Sequence, residues 1–129
     1  MTSPSQYVEE FHRTYGVPVR STDNPSIISE RAGLRHSLIA EEFNEFEDAL
    51  HDNDIVEVAD ALADLIYVIY GTALEFGIPL DEVLAEVHRS NMSKLGSDGK
   101  PIYREDGKVI KGPNYFQPDI RGVLFYVPA

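Results

Sequence analysis

One stretch of the sequence constrains the fold of this chain more than any other. Residues 55–74 form a strongly apolar run whose only charged side chains are Glu57, Asp60 and Asp64. Spacings of three and four residues place these acids on one stripe of an α-helix, while nearly every other face is apolar. We therefore predict a central helix whose acidic stripe lies in a groove or in the interior.

The acidic stripe needs compensation, because buried carboxylates are costly unless they are paired or bound to metal. Ten acids occur from Glu41 to Asp64, and this segment has neither Lys nor Arg. A divalent cation would offset both the burial and the mutual repulsion. A solvated acidic face followed by a solubilising basic tail is the alternative, and charge counts alone favour it. The apolar surroundings of the stripe favour the cation.

Local sequence signals predict an all-α fold that ends in an irregular tail. Caps, prolines and glycines mark the helix ends, and apolar residues recur at helical spacing between them. We expect a single domain over residues 1–129, with a helical core at about 3–95 and a tail or lid at 96–129. The four predicted helices run from Ser3 to Tyr15, from Asn24-Pro25 to His51, from a cap at Asn53 or Asp54 to Phe76, and from a cap at Asp81 to about Leu95.

The tail is rich in turn residues. Asp106-Gly107 is a strong turn signal, and it lies between the short apolar segments 102–104 and 108–110. This arrangement predicts a small β-hairpin.

The second predicted helix supplies acids that match those of the third. Glu42 and Glu45 share one helix face, as do Glu41 and Glu45. Acidic runs on helices are usually only solvated, so this pattern alone is weak evidence for a metal site. Its expected position opposite Glu57 and Asp60 strengthens that evidence. The chain has no cysteine, and oxygen ligands alone favour Mg²⁺ or Mn²⁺ over zinc.

The acids of the third helix also admit other roles. Glu57 follows Asp54 by three residues and could simply satisfy the helix N-terminus as part of a capping box. Asp60 has no such role and is the stronger ligand candidate. Asp64 could touch the metal, orient a ligand, or hydrogen-bond a tyrosine.

The pattern Glu-x-x-Glu on one helix and Glu-x-x-Asp on the next resembles the metal site of the MazG-like all-α nucleoside triphosphate pyrophosphohydrolases. The resemblance covers about residues 34–94, and the tail from Gly96 to Ile120 resembles that of phage-type and bacterial members. It implies a helical bundle completed by dimerisation, with a homodimer or homotetramer as the assembly. One departure is the short spacing of eleven residues between Glu45 and Glu57.

The resemblance also implies roles for individual residues. Glu42, Glu45, Glu57 and Asp60 would bind Mg²⁺, or Mn²⁺ in its place. Glu41 would act as the base or orient the water. Asp64 is a further candidate for metal binding or for support of the ligands, from its place in the acidic stripe and not from the resemblance. The candidates for substrate or phosphate binding lie near the C-terminus and are Asn91, Lys94, Lys108 and Lys111. Lys94 could instead stabilise a helix C-terminus. Lys108 and Lys111 could be merely solvated.

The predicted function is metal-dependent hydrolysis of an NTP or dNTP to the monophosphate and pyrophosphate. A narrower substrate, as in dUTPase-like or phosphoribosyl-ATP pyrophosphohydrolase-like relatives, is an alternative. A non-catalytic helical dimerisation module is another, whereas a di-iron carboxylate bundle would require Glu-x-x-His pairs. Arg35, His36 and the first helix are candidates for base recognition.

The composition of the chain limits the classes of partner and the compartment that we expect. A net charge of −11 argues against nucleic acid as a partner. The sequence shows neither a signal peptide nor an apolar run of membrane-spanning length, so we expect a cytoplasmic protein that does not enter a membrane.

Overall fold

The computed structural model describes residues 2–126, which are mainly helical with one small antiparallel sheet. This confirms the predicted all-α class and the hairpin in the tail, where Ile102 pairs with Ile110 and Tyr103 with Val109. Within this range, the elements are α1 (Pro4–Thr14), α2 (Ser29–His51), α3 (Ile55–Phe76), α4 (Leu80–Met92), β1 (Ile102–Tyr103), β2 (Val109–Ile110) and α5 (Ile120–Phe125).

The chain divides into two compact units at the boundary between Pro79 and Leu80. The first unit contains α1, α2 and α3, and the second contains α4, the hairpin and α5. The expectation of a single domain stays a prediction.

A tight turn joins α2 and α3 into an antiparallel hairpin. Asn53 adopts a left-handed backbone conformation with φ of 52°. Asp54 then caps α3, since its Oδ1 accepts the backbone N–H groups of Val56 and Glu57 at 3.1 and 3.2 Å. At the other end, Gly77 closes α3 with φ of 67°, a conformation that glycine adopts without strain. The predicted bounds of α3 are therefore confirmed.

The predicted start of α2 at Asn24-Pro25 is wrong, because the helix begins at Ser29. The backbone N–H of Ser26 donates instead to the carbonyl of Phe76 at 2.9 Å. This bond satisfies a carbonyl that the end of α3 leaves unpaired, so a long-range contact overrides the local helix signal.

The other helix ends fit the predictions less uniformly. Ser3 caps α1 as expected, in a capping box with Gln6. The helix α4 begins at Leu80, so Asp81 lies in its first turn and is not the predicted cap, and the helix ends at Met92, short of Leu95. The short helix α5, capped by Asp119, was not predicted.

Small side chains form most of the core of the first unit. Val8 of α1, Ala49 of α2, and Ala61 and Ala73 of α3 are buried. By contrast, several large apolar side chains of α3 remain exposed to solvent in the single chain. The most exposed ones in its middle are Leu62 at 45% and Ile66 at 51%.

In the second unit, α4 holds the tail through its buried and charged side chains. The hydroxyl of Ser90 donates to the carbonyl of Phe116 at 2.8 Å, and the Arg89 guanidinium lies 4.4 Å from the centre of the Phe116 ring. Glu86 accepts hydrogen bonds from Arg89 and from the backbone N–H of Asp119. These contacts lower the pKa of Glu86 to about 2.

Among residues 2–126, no single helix has both the length and the apolar character needed to cross a bilayer. The helices α3 and α4 meet that description only when they are counted together.

Candidate metal centre

Three carboxylates meet between α2 and α3. One oxygen from each of Glu42, Glu45 and Asp64 lies within 4.8 Å of the other two. Helical spacing puts Glu42 and Glu45 on one face of α2, and the antiparallel hairpin brings Asp64 of α3 opposite them. We call this group the carboxylate cluster.

The carboxylate cluster lacks an internal counter-charge. Within the described part of the chain, none of its three members forms an ion pair with a basic side chain. The Oε2 atom of Glu42 is buried and has no hydrogen-bond partner among these residues. A buried, unpaired carboxylate oxygen is costly, and a bound cation would compensate it.

The same environment raises the pKa values of two members of the cluster. The pKa of Glu42 rises to about 7, first because of burial and then because of the neighbouring Glu45, Asp64 and Glu41. Burial also raises the pKa of Asp64, and the charges of Asp60 and Glu45 add to that effect. The site therefore disfavours its own negative charge in the absence of a cation.

Glu57 and Asp60 lie in an adjacent cavity and are not members of the carboxylate cluster. This acidic cavity has a volume of about 190 Å³ and opens beside the turn between α2 and α3. Glu45 belongs to both places, so it links the two groups of acids. The carboxylates that line the acidic cavity are Glu45, Asp48, Asp52, Glu57 and Asp60.

The four residues predicted as metal ligands are thus brought to neighbouring positions, but not into one cluster. Asp64, whose role the sequence does not decide, joins Glu42 and Glu45. Glu57 is exposed near the start of α3, where Asp54 performs the capping. Glu41 is also exposed and is not a member of the cluster, although its charge contributes to the raised pKa of Glu42.

The predicted phosphate-binding residues all lie in the second unit. Asn91 is exposed on α4, and Lys94 is half-buried just after that helix. Lys108 is exposed in the β-hairpin of the tail, and the Lys111 ammonium lies 4.6 Å from the centre of the Tyr115 ring. Their role in substrate binding stays a prediction.

A larger, apolar cavity adjoins the carboxylate cluster. It has a volume of about 360 Å³, and its lining comes from all three helices of the first unit and from Val17. Phe11, Leu34 and Tyr67 contribute apolar surface, while Glu42 and Asp64 also line it. We call it the apolar cavity.

At the far ends of α2 and α3, a buried acid is paired with two arginines. Glu75 is completely buried, and its carboxylate accepts hydrogen bonds from Nε and Nη2 of Arg31 and from Nη1 of Arg35. Burial by itself would raise the pKa of Glu75, but the two guanidiniums outweigh it and hold the pKa below its ordinary value. We call this group the arginine–glutamate network.

Sequence reasoning missed this network. Arg35 is a candidate for base recognition by its place in the sequence, but its Nε donates to Thr72, its Nη1 to Glu75 and its Nη2 to the carbonyl of Val68. His36, the other candidate on α2, is exposed. The available signal was the isolated acid in the apolar end of α3, together with two arginines one turn apart on α2.

Comparison with known proteins places the chain in a family. The family model described as phosphoribosyl-ATP pyrophosphohydrolase matches residues 8–91, which is most of the chain. The protein therefore belongs to the phosphoribosyl-ATP pyrophosphohydrolase family, which lies in the MazG-like all-α superfamily expected from the acidic motifs. The matched span includes every residue of the carboxylate cluster and of the acidic cavity.

Individual proteins are also similar to this chain, and two of them illustrate the match. An uncharacterized protein of Acanthamoeba polyphaga mimivirus is 35% identical over 109 residues, which are 82% of this chain and 41% of the viral protein. The chain thus spans about two fifths of the length of that relative. A crystal structure of a candidate NTP pyrophosphohydrolase from Exiguobacterium sp. 255-15 has 27% identity and a TM-score of 0.46, with 93% of this chain and 91% of that chain covered.

Proposed function

We propose that this protein is a divalent-cation-dependent nucleotide pyrophosphohydrolase that converts an NTP or dNTP to the monophosphate and pyrophosphate. Family membership supports pyrophosphohydrolase activity in general. The observation that supports dependence on a divalent cation is the carboxylate cluster. It has a buried, unpartnered Glu42 oxygen and no basic partner within the described residues.

The donor set fits a hard cation. Glu42, Glu45 and Asp64 offer oxygen ligands only, which suits Mg²⁺ or Mn²⁺. Glu57 and Asp60 share the acidic cavity with Glu45, and they would hold a second ion there. When bound, such an ion neutralises phosphate oxygens and lowers the pKa of water.

The side chains of the protein then have two tasks in the reaction. The carboxylates of α2 and α3 would hold the cation that attracts the phosphate chain, and Glu41 accepts a proton from the attacking water. The water oxygen bonds to the α-phosphorus, the bond from that phosphorus to the bridging oxygen breaks, and pyrophosphate leaves. The choice between a broad and a narrow range of nucleotides depends on the nucleoside end of the substrate.

The test is release of pyrophosphate from a panel of NTPs and dNTPs, with and without Mg²⁺. Glu45→Gln should lower turnover on the order of 10³-fold, because stabilisation of transition-state charge by a metal is worth several kcal/mol. Glu47→Gln is the matched control, since Glu47 is an exposed acid of the same helix outside both cavities. Full activity of Glu45→Gln, or equal losses in the two variants, would refute the assignment.

We also propose that two or more copies assemble through α3. Leu62, Ile66 and Ile69 are 45%, 51% and 38% exposed in the single chain, which is an unusual amount of apolar surface on a central helix. A second copy would cover it, as the family resemblance implies. Sedimentation equilibrium should give a multiple of 14.5 kDa. A mass of a single chain at micromolar concentration with full activity would contradict assembly.

A further inference from the structure

We propose that the apolar cavity holds the nucleoside end of the substrate and that Arg31 selects bases by donating a hydrogen bond to an oxo group. The proposal rests on the function proposed above, because the phosphate chain must lie at the carboxylate cluster. The phosphate chain is the same in every nucleoside triphosphate, so the nucleoside end is the part by which the protein can distinguish one substrate from another.

The order of residues along the helical hairpin of α2 and α3 supports this placement. Arg31, Leu34 and Glu42 all line the apolar cavity and follow one another along α2. Arg31 bonds to Glu75 near the end of α3, whereas Glu42 meets Asp64 in an earlier part of that helix, and Tyr67 lies between these two positions of α3. Arg31 precedes Glu42 by eleven residues, which is about 16 Å along a helix axis. A ligand that fits this order has a charged chain, a flat apolar body and a polar far edge. A nucleotide has these three parts in this sequence.

The middle of the cavity suits an aromatic base. The rings of Phe11 and Tyr67 meet edge to face, with centroids 5.5 Å apart and an interplanar angle of 87°. Both rings line the cavity, and stacking of a base on an aromatic ring is favourable for every base. The volume of about 360 Å³ is within the range typical of small-molecule sites.

Arg31 is oriented before any ligand arrives. Its Nε and Nη2 both donate to the carboxylate of Glu75, and this fork fixes the plane of the guanidinium. Its Nη1 makes no hydrogen bond within residues 2–126, and the side chain is 32% exposed. A rigid guanidinium with a spare N–H group is a selective donor, since it has no acceptor to offer.

Arg35 serves a different purpose in the same network. Each of its three guanidinium nitrogens already donates within the protein, and the side chain is 6% exposed. A Cβ atom at Gly71 would collide with Nη2 of Arg35 and with Nε2 of His12, so the glycine leaves room for both side chains. Arg35 therefore holds Glu75 in place, and Arg31 faces the ligand.

This arrangement predicts a preference for bases with an oxo group at the far edge. Uracil and cytosine differ there by an oxo and an amino group, as do hypoxanthine and adenine. An oxo group accepts from Arg31, whereas an amino group would place two donors against each other. Uracil, thymine, guanine and hypoxanthine nucleotides are the expected substrate class.

The experiment compares binding within the pairs dUMP with dCMP and dIMP with dAMP, by titration calorimetry with Mg²⁺. These monophosphates have no anhydride bond, so binding is measured without turnover. The wild-type protein should bind the oxo member of each pair at least about tenfold more tightly, the size expected for a hydrogen bond to a charged group. Arg31→Met should reduce that ratio to about twofold and leave the amino member nearly unchanged.

Two further variants keep the result interpretable. Arg13→Met is the matched control, because Arg13 is an exposed arginine of α1 that does not line the cavity. It should retain the wild-type ratio. If Arg31→Met does not fold, Arg31→Lys keeps a positive charge beside Glu75 while it removes the guanidinium fork, and it should lower the ratio severalfold.

The possible outcomes separate this proposal from the proposed function. Equal weakening of both members of a pair by Arg31→Met would place Arg31 on the phosphates and overturn base selection. A wild-type protein without preference for oxo bases would overturn it as well. If the pairs are discriminated through Arg31 but no triphosphate is hydrolysed, the subsite stands and the proposed activity fails.

Discussion

Glu42 and Glu75 are acids withdrawn from water between the same two helices, but their surroundings are opposite. Burial and, after it, the neighbouring acids together raise the pKa of Glu42 to about 7. Burial acts on Glu75 in the same direction, but Arg31 and Arg35 more than offset it and the pKa falls. One end of the α2–α3 hairpin contains its own counter-charges, and the other end has no ion pair with a basic side chain of residues 2–126.

This difference separates a structural acid from an acid that is available to a ligand. Glu75 has all its electrostatic partners within the chain, so it stabilises the hairpin and orients Arg31. Glu42 has a buried oxygen without a partner in the described range, so this oxygen is available to a ligand from outside the chain. A cation would therefore act on the carboxylate end and leave the arginine end unaffected.

The largest expected effect is that of Glu75→Gln on stability. Removing one partner of a buried ion pair leaves uncompensated charge, here two guanidiniums, and should cost about 3–5 kcal/mol of unfolding free energy. Urea denaturation followed by circular dichroism measures this. Glu47→Gln, an exposed change on α2, should stay within about 0.5 kcal/mol of wild type. A similar small loss for Glu75→Gln would show that the network contributes little.

The contribution of Glu75 should also disappear in acid. Its pKa is lower in the folded than in the unfolded protein, so the stabilisation is fully present above the ordinary value of 4.5. It is lost as the pH falls through the folded value, where the protonated acid resembles glutamine. The difference in unfolding free energy between wild type and Glu75→Gln should therefore narrow as the pH falls below 4.5. A difference that is constant from pH 7 to pH 3 would contradict this.

A smaller effect is expected from cations at the other end. Mg²⁺ at about 100 times its dissociation constant should stabilise the folded protein by about 2.7 kcal/mol through binding linkage. Glu45→Gln should abolish most of this shift, whereas Glu47→Gln should preserve it. Differential scanning calorimetry over a Mg²⁺ series measures the effect. A melting temperature independent of millimolar Mg²⁺ would exclude a cation site in the folded protein.

The smallest expected effect has the opposite sign from that of Glu75→Gln. Without divalent cations near neutral pH, Glu42→Gln removes a charge that Glu45 and Asp64 repel, so stability should rise by about 1 kcal/mol. With Mg²⁺ present, the same variant should lose most of the cation-dependent stabilisation. Urea denaturation in chelator and in Mg²⁺ gives both values. A loss of stability in chelator would mean that Glu42 has a favourable partner in the folded protein.

Prediction from sequence succeeded where the signals were local. The bounds of α3 follow from Asp54 as a cap and Gly77 as a left-handed stop, and both act within one turn of the helix. The start of α2 failed because the hydrogen bond from Ser26 to Phe76 joins residues fifty positions apart. Pro25 favours a helix start locally, but the contact with the end of α3 has the larger effect.

The candidate site shows the same division between local and distant information. Helical spacing along α2 and α3 predicts which acids share a face, so Glu42 and Glu45 were expected together. Spacing does not give the register of α2 against α3. That register places Asp64 in the carboxylate cluster and puts Glu57 and Asp60 in the neighbouring acidic cavity. Glu41 as the base, and the four residues of the second unit as substrate ligands, stay predictions.

The sequence by itself determined an acidic stripe on an apolar helix, because helical period and burial cost depend on residue type and spacing alone. It also determined that this stripe lacks a nearby basic residue in the chain. Only the tertiary structure decided which acids are neutralised internally, since Arg31 and Arg35 reach Glu75 from another helix across 44 and 40 residues of the sequence. Electrostatic compensation depends on distance in space, and packing of the α2–α3 hairpin sets that distance.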